Sequence, residues 1–187
     1  CVGYCLTGNT DTELVFLLHG DGQNGKSTFI YIIRHLLGSY AHRTNPDVFM
    51  QLKGKGYGGP KEGLANLRGK RLVVASEIEE GRRLHMNLIK ATTGADSITA
   101  DRKWEHEIEF DPTHKLWLSG NYQPEVRDSS VAAWRRLKLI PFEITIPDKE
   151  KIEGLKQKIF AEEAEGILAW AVSGCLAYQT QVFAEPK

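Results

Sequence analysis

The feature that most constrains the fold is an octet, Gly20–Ser27, that joins an apolar run to a helical pattern. The run before it, Glu13–His19, is short and almost continuously apolar, which is typical of a strand buried on both faces of a parallel sheet. The pattern after it, Ser27–Leu37, has apolar residues at helical spacing and stops at Gly38, a common residue just past a helix end. A strand, a glycine-rich turn and a helix are therefore predicted to be contiguous.

The residue sequence of the octet predicts a polyphosphate-binding site. It reads Gly-Asp-Gly-Gln-Asn-Gly-Lys-Ser and fits G-x-x-x-x-G-K-[ST] at every specified position. Glycines let the backbone N–H groups turn inward around phosphates, and the following helix adds the positive end of its dipole. Lys26 would reach the β- and γ-phosphates, and the Ser27 hydroxyl would hold Mg²⁺. The predicted binding residues are Gly20, Asp21, Gly22, Gln23, Asn24, Gly25, Lys26, Ser27 and Thr28.

A dinucleotide-binding turn is the alternative interpretation of the same octet. Gly20, Gly22 and Gly25 also fit G-x-G-x-x-G, and Asp47 lies near the offset of a ribose-binding acid. However, Asp47 comes in a stretch with no strand pattern before it, and a dinucleotide turn does not need lysine and serine at its end. The phosphate-binding loop of an NTPase is the favoured interpretation.

The rest of the chain alternates between strand and helix patterns. Strands are predicted at Arg71–Ser76, Lys115–Leu118 and Leu137–Phe142, a β-hairpin at Ser97–Ala100 and His106–Phe110, and helices from about Leu84 to Gly94, at Lys149–Phe160 and at Glu162–Tyr178. This alternation predicts a layered α/β domain. A length of 187 residues favours a single domain, with a core at about 1–146 and a helical segment at about 147–187. Trp117, Trp134 and Trp170 lie on apolar periodic segments and are predicted to be core residues.

Polar side chains follow two of the predicted strands. Hydrolysis of a nucleotide needs an acid near Mg²⁺ and a carboxylate that orients water, and Glu77 and Glu79 follow the Arg71–Ser76 strand, with Glu80 as a substitute. We expect Glu77 also to be a metal ligand. Asn121 ends another strand and is either a turn-forming residue or a γ-phosphate sensor.

Two arginines precede the last predicted strand. Arg135 and Arg136 fit either the basic end of a helix or an arginine finger, which neutralises charge in the transition state. The residues by themselves leave these two interpretations even.

Charge and cysteine content limit the class of protein. The 24 basic and 24 acidic residues give a formal net charge of +0, so any site for a polyanion must be local. The apolar runs are far shorter than the ~20 residues that cross a bilayer, and three cysteines without a CxxC pair favour a reducing compartment. A soluble, cytoplasmic protein with no membrane partner is expected. Cys1 in place of methionine suggests a piece of a longer polypeptide.

Taken in order, the motifs resemble those of the superfamily 3 helicases, AAA+ type ATPases found at the C-terminal end of phage, plasmid and poxvirus primase-helicases. The resemblance is nearest to the phage and plasmid branch. It is carried by GYCLTG (Gly3–Gly8), GDGQNGKST (Gly20–Thr28), GKRLVVASEIEEG (Gly69–Gly81), IKATTGAD (Ile89–Asp96), SGN (Ser119–Asn121) and EGILAW (Glu165–Trp170).

The resemblance implies a fold and a set of roles. The fold is a three-layer P-loop NTPase of AAA+ type, with a central mostly parallel sheet, a β-hairpin insertion and a short C-terminal helical segment. Gly20–Thr28 would be Walker A and bind ATP with Mg²⁺, Glu77 and Glu79 the acidic part of Walker B, and Asn121 the γ-phosphate sensor. Arg136 begins the pattern Arg-hydrophobic-x-x-hydrophobic-x-Phe, so the resemblance ranks it above Arg135 as the finger that enters a neighbouring subunit.

The resemblance also implies partners. The tip of the predicted hairpin, Asp101–Glu105, carries Lys103 and Trp104, which match a family element that grips single-stranded DNA in the channel of a hexameric ring. The implied protein is an ATP-dependent DNA helicase motor that forms a homo-hexamer, and its primase domain would lie upstream of this chain. A nucleotide-binding assembly or loader module with little hydrolysis is the alternative, and a small-molecule kinase is less favoured.

Overall fold

A computed structural model of the protein describes residues 1–51, 61–101 and 106–181. In chain order its strands are β1 (Val15–His19), β2 (Ala41–Thr44), β3 (Leu72–Ile78), β4 (Ile98–Ala100), β5 (Ile108–Phe110), β6 (Lys115–Gly120) and β7 (Leu137–Pro141). Five of them form a central parallel sheet in the order β2-β3-β6-β1-β7, and β4 pairs with β5 in a separate antiparallel ribbon.

The α-helices are α1 (Val2–Cys5), α2 (Lys26–Leu37), α3 (Lys61–Ala65), α4 (Met86–Thr93), α5 (Val131–Trp134) and α6 (Leu155–Thr180). Short 3₁₀ helices lie at Gly38–Tyr40, Pro46–Phe49 and Asp148–Glu150.

The three central strands, β3, β6 and β1, are buried on both faces because most of their residues are apolar. On β1, Val15 and Leu17 pack in a core with residues of α3 and α4, whereas Phe16 and Leu18 pack in a second core with α1, α2 and α6. Successive side chains of a strand point to opposite faces, so a continuous apolar run fills two cores at once. The predicted three-layer α/β fold with a mostly parallel sheet is confirmed.

Element boundaries follow the predicted ones closely inside the sheet and less closely at the C-terminus. The helix after the octet begins at Lys26 and ends at Leu37, and Gly38 is its C-cap as predicted. The two predicted C-terminal helices are one helix, α6, and Lys149–Gly154 do not belong to it because Gly154, at φ +68°, is its N-cap. β2 and α5 are only four residues long each, too short for a recognisable period, and were not predicted.

Two of the tryptophans that were predicted to be core residues are not in the core. Trp117 is fully buried as predicted, but Trp134 and Trp170 are 54% and 59% exposed, so that prediction was wrong for both. On α6 the face through Ile167, Ala171 and Tyr178 packs on the core, and Trp170 lies off that face. The helix therefore contacts the domain on one face only. Among the described residues, no helix combines the length and apolar character needed to span a membrane.

Candidate nucleotide-binding site

The carboxyl ends of β1, β6 and β3 meet at one edge of the sheet, since the three strands are parallel neighbours. A cleft of about 460 Å³ lies at this edge. Its lining includes five residues that the sequence placed in the site, Lys26, Ser27, Glu77, Glu79 and Asn121. Segments that are far apart in the chain are thus brought together where open parallel sheets bind ligands.

The backbone of the loop between β1 and α2 suits an anion. Gly20, Gln23 and Gly25 have φ values of +143°, +62° and +87°. Gly25 is the N-cap of α2, and its side-chain-free backbone takes the left-handed conformation without strain. The first N–H groups of α2 have no partner within the helix, and together with the helix dipole they favour an anion.

The segment after β7 fixes the position of this loop. The Asn24 side-chain amide donates to the Phe142 carbonyl at 2.8 Å, and the Ile146 N–H donates to the Gln23 carbonyl at 2.7 Å. A Cβ at Gly20 would lie 2.1 Å from the same Phe142 carbonyl oxygen. Only glycine fits there, for a packing reason in addition to its positive φ.

Lys26 is folded into the loop. Its side chain is buried, and its ammonium donates to the Asp21 carbonyl at 3.1 Å, to Asn24 Oδ1 at 3.0 Å and to the Gly20 carbonyl. Burial lowers the pKa of this ammonium, and the nearby Asp21 carboxylate partly opposes that effect. A phosphate oxygen would compete with these three acceptors for the lysine. Ser27 and Thr28 follow in the first turn of α2, with Ser27 exposed toward the cleft.

Glu77 lies at a β-bulge. The pairing of β3 with β6 shifts register between Ser76 and Ile78, and Glu77, between them, has φ +69°. A non-glycine residue in this region costs about 1–3 kcal/mol and is kept only where its surroundings require it, most often at functional sites. The bulge takes Glu77 out of the ladder and exposes its side chain at the cleft. Its carboxylate is paired with Arg43 on β2 at 2.8 Å.

Glu79 and Glu80 are both exposed just after β3. Arg82 Nη1 lies 3.8 Å from Glu79 Oε2, and the same arginine pairs with Asp47. The carboxylates of Glu77 and Glu79 and the hydroxyl of Ser27 are hard oxygen ligands, which suit Mg²⁺. Among the described residues, no three His, Cys, Asp or Glu side chains are close enough to hold a metal ion by themselves. A divalent cation here would therefore take some of its ligands from phosphate and water.

Asp47 does follow a strand, β2, contrary to the sequence expectation. The dinucleotide interpretation nevertheless fails on sheet order. A dinucleotide fold places its second strand next to the first, so that the acid after it can reach the ribose. Here β3 and β6 separate β2 from β1, and Asp47 is paired with Arg82.

Asn121 follows β6 directly and is exposed at the cleft beside Tyr122. Two residues that the sequence did not single out also line the cleft, Arg43 on β2 and Lys156 on α6. The Lys156 ammonium lies 5.0 Å from the ring centre of Tyr31, which is part of the same lining. Neither residue belongs to a recognisable motif. Arg43 lies on a strand of only four residues, and Lys156 lies in the first turn of α6, just after its N-cap Gly154.

Arg136 and Arg135 lie at the other end of the sheet and do not line the cleft. Arg136 is 6% exposed, and its Nη2 lies 2.7 Å from Glu13 Oε1. The Arg135 side chain is 60% exposed and pairs with the second carboxylate oxygen of Glu13. The arginine that the resemblance ranked first is therefore the one whose guanidinium is enclosed in its own chain.

Lys103 and Trp104 lie outside the described residues. The two strands that flank them are present, with Ile98 paired to Phe110 and Ala100 to Ile108 in antiparallel register. The predicted pairing of the hairpin strands is confirmed.

A model of a family of unknown function, DUF5906, matches residues 18–136 of the chain. Two curated relatives are named as candidate helicases. L207/L206 of Acanthamoeba polyphaga mimivirus is 30% identical over 138 residues, which are 74% of this chain and 14% of that protein. 184R of Invertebrate iridescent virus 6 is 30% identical over 171 residues, which are 83% of this chain and 17% of that protein. The chain thus spans less than a fifth of either relative.

Solved structures share the fold at low sequence identity. The apo C-terminal region of NrS-1 superimposes with a TM-score of 0.63 at 17% identity, over 86% of this chain and 36% of that one. A ligand-bound JCV helicase superimposes with a TM-score of 0.52 at 15% identity, over 90% of this chain and 44% of that one. These similarities concern the fold.

Proposed function

We propose that this chain, which belongs to the family of unknown function DUF5906, is the ATP-hydrolysing motor of a superfamily 3 DNA helicase. The observation that carries the proposal is the bulge that exposes Glu77 in one cleft with Lys26, Ser27 and Asn121. A phosphate-binding loop is common to kinases, switches and motors. Acids at the end of the neighbouring strands favour attack by water, because hydrolysis needs a group that orients the nucleophile.

Each residue of the cleft has a role in this proposal. Lys26 leaves the loop carbonyls and binds the β- and γ-phosphates. Ser27 and Glu77 hold Mg²⁺, which supplies charge neutralisation at the phosphates. Glu77 or Glu79 orients the attacking water, and Asn121 contacts the γ-phosphate. The guanidinium that completes the site comes from another subunit, since Arg135 and Arg136, the two arginines that fit the finger pattern, lie at the far end of their own sheet.

The partners follow from the same proposal. Lys103 and Trp104, which the sequence predicts at the tip of the hairpin, bind single-stranded DNA, the lysine through a phosphate and the tryptophan through a base or sugar. The active form is a homo-oligomer, a hexamer by family likeness, and the primase domain belongs to the longer protein. The names of the relatives support helicase activity, and we place it in phage or plasmid replication.

A nucleotide-binding assembly or loader module with little hydrolysis is the second candidate. One observation favours it: the Glu77 carboxylate is paired with Arg43, and a carboxylate oxygen that accepts from a guanidinium is not free to orient water. A module of this kind would bind ATP and change partner affinity without DNA-stimulated turnover.

An ATPase assay with and without single-stranded DNA, across a range of protein concentrations, tests the proposal. A motor with sites shared between subunits turns over faster per protomer as concentration rises, and faster again with DNA. Lys26→Ala should abolish turnover, whereas Lys158→Ala, an exposed lysine on α6, should not. Turnover that is insensitive to both DNA and concentration would remove the helicase assignment, and ATP binding without turnover would favour the module.

A further inference from the structure

Three charged residues form a cluster away from the cleft, at the opposite end of the sheet. Glu13 precedes β1, and Arg135 and Arg136 precede β7. The two strands are parallel neighbours with Val15 opposite Leu137, and the Val15 N–H donates to the Arg136 carbonyl at 2.8 Å. Residues more than 120 positions apart are thus joined at the entry to both strands.

Arg136 is the buried member of the cluster. Its side chain is 7% exposed, Nη2 pairs with Glu13 Oε1 at 2.7 Å, and Nη1 donates to the Ala132 carbonyl at 2.5 Å. All of these partners belong to its own chain. Moving this guanidinium outward would take a buried charge away from both of these acceptors, which is unfavourable.

Arg135 is the exposed member. Its side chain is 60% exposed and is paired with Glu13 Oε2. The neighbouring side chains of α5, Val131 and Trp134, are 82% and 54% exposed. An exposed, weakly paired guanidinium therefore lies beside exposed apolar side chains, and a second molecule could contact both.

Glu13 joins the two arginines. It has φ +53°, a conformation that non-glycine residues rarely adopt, and its N–H donates to the Thr10 carbonyl at 2.8 Å. One oxygen is committed to Arg136, so the other can release Arg135 without leaving the carboxylate unpaired. The phosphates of a bound nucleotide carry more negative charge than this already neutralised carboxylate and would compete well for Arg135.

We propose that Glu13 is a positioning residue that presents Arg135 to the nucleotide of a neighbouring copy of this chain, with Arg136 as the buried anchor of the cluster. The inference rests on the proposed function, which requires a guanidinium from another subunit. The cluster and the cleft lie at opposite ends of the sheet, so the contact joins two different surfaces, and such head-to-tail contacts form a ring when the rotation between subunits closes.

Mixing two inactive variants tests the inference. Lys26→Ala has no working nucleotide site but keeps Arg135, and Arg135→Ala keeps its nucleotide site. Mixed together, the two should regain ATPase activity, because the first donates its arginine to the sites of the second. Glu13→Gln is then added to one partner at a time. In the Lys26→Ala donor it should reduce the regained kcat by up to about 100-fold, the scale of a misplaced catalytic group, with KM for ATP unchanged.

The same Glu13→Gln change in the Arg135→Ala partner should leave the regained activity unchanged. This asymmetry separates positioning from a general loss of structure, which would lower activity in either partner. Glu163→Gln in the donor, an exposed carboxylate on α6, is the matched control and should have no effect. If Glu13→Gln folds poorly, Glu13→Asp replaces it, since a shorter acid keeps the charge and changes its reach.

Several results would overturn the inference. One is an Arg135→Ala variant that hydrolyses ATP at the normal rate. Another is a Lys26→Ala donor that restores the same activity with and without Glu13→Gln. Failure of the two parent variants to complement each other would also do so. If the unmodified protein binds ATP but does not hydrolyse it at any concentration, the proposed function itself fails, and this inference fails with it.

Discussion

The guanidinium of Arg43 lies 2.8 Å from the carboxylate of Glu77, the residue that a β-bulge removes from the ladder of β3. The two side chains are 51% and 83% exposed, so the pair is held loosely. Arg43 comes from the edge strand β2 and lines the same cleft as Lys26. The acid best placed to act in the cleft is therefore held, in this structure, by a residue outside every recognised motif.

Replacing Arg43 should raise turnover in the absence of DNA. In Arg43→Ala the Glu77 carboxylate no longer has to leave a cation before it acts, and an exposed pair is worth up to ~1 kcal/mol, or about fivefold in rate. ATPase assays without DNA measure this change. Arg127→Ala, an exposed arginine paired with Glu125 at 3.5 Å, is the control. A lower rate in Arg43→Ala would mean that Arg43 helps the reaction instead.

The three acids at the carboxyl end of β3 should differ in their importance. Glu77→Gln should keep ATP binding and lose turnover by about 10²- to 10⁴-fold, the usual contribution of a positioned base. Glu79→Gln should lose less, and Glu80→Gln, whose carboxylate does not line the cleft, should stay near the normal rate. ATP affinity and single-turnover rates measured in parallel distinguish binding from chemistry. Equal losses in Glu77→Gln and Glu80→Gln would contradict this assignment.

Gly20 should not tolerate a side chain. Gly20→Ala would bring a Cβ to within 2.1 Å of the Phe142 carbonyl oxygen at a φ of +143°, so the loop or the 142–146 segment must move. We expect a loss of about 1–3 kcal/mol in the free energy of unfolding, together with weaker ATP binding. Gly22→Ala is matched to it, because a Cβ there meets no atom of the described residues within 4 Å and should leave stability unchanged. Denaturant titrations of both variants decide the point.

His114 should make stability depend on pH. It is buried, neither ring nitrogen has a hydrogen-bond partner among the described residues, and burial, with the nearby Lys115 charge, lowers its pKa from 6.5 to about 4. Between these values the unfolded chain binds a proton that the folded chain does not. The free energy of unfolding should therefore fall as the pH falls from 6.5 to 4, by about 3 kcal/mol at most, and the His114 contribution should level off below that.

His114→Leu should remove this pH dependence, and His106→Leu, at an exposed position, should retain it. Chemical denaturation at about pH 7, 6, 5 and 4.5, which covers the range between the two pKa values, measures how the free energy of unfolding changes with pH. An unchanged slope in His114→Leu would show that other groups cause the acid sensitivity.

Lys103 should contribute to binding of single-stranded DNA through a phosphate. Lys103→Ala is expected to weaken binding of every DNA sequence alike and to reduce the slope of log K against log salt by about 0.7, the value for one contact on a single strand. Fluorescence anisotropy at several salt concentrations measures the slope. Lys149→Ala, at an exposed position, is the control. A slope that stays the same would remove Lys103 from the DNA interface.

The sequence by itself determined the features that depend on neighbouring residues. The apolar run of β1, the glycines before Lys26 and the helical period after it are local patterns, and each predicts its own conformation. The polar residues after β3 and β6 could be assigned to one edge because parallel strands end together. The three-layer fold and the five residues that meet in the cleft followed from these patterns.

The tertiary structure decided what depends on contacts between distant segments. The bulge at Glu77 arises from the register of β3 against β6, and its partner Arg43 comes from a strand too short to show a period. Likewise, the sequence did not distinguish the two adjacent arginines by their surroundings. In the structure both pair with Glu13, 122 positions before Arg135, and only Arg136 is buried. Burial and pairing are properties of the packed molecule, because they depend on which segments the sheet order brings side by side.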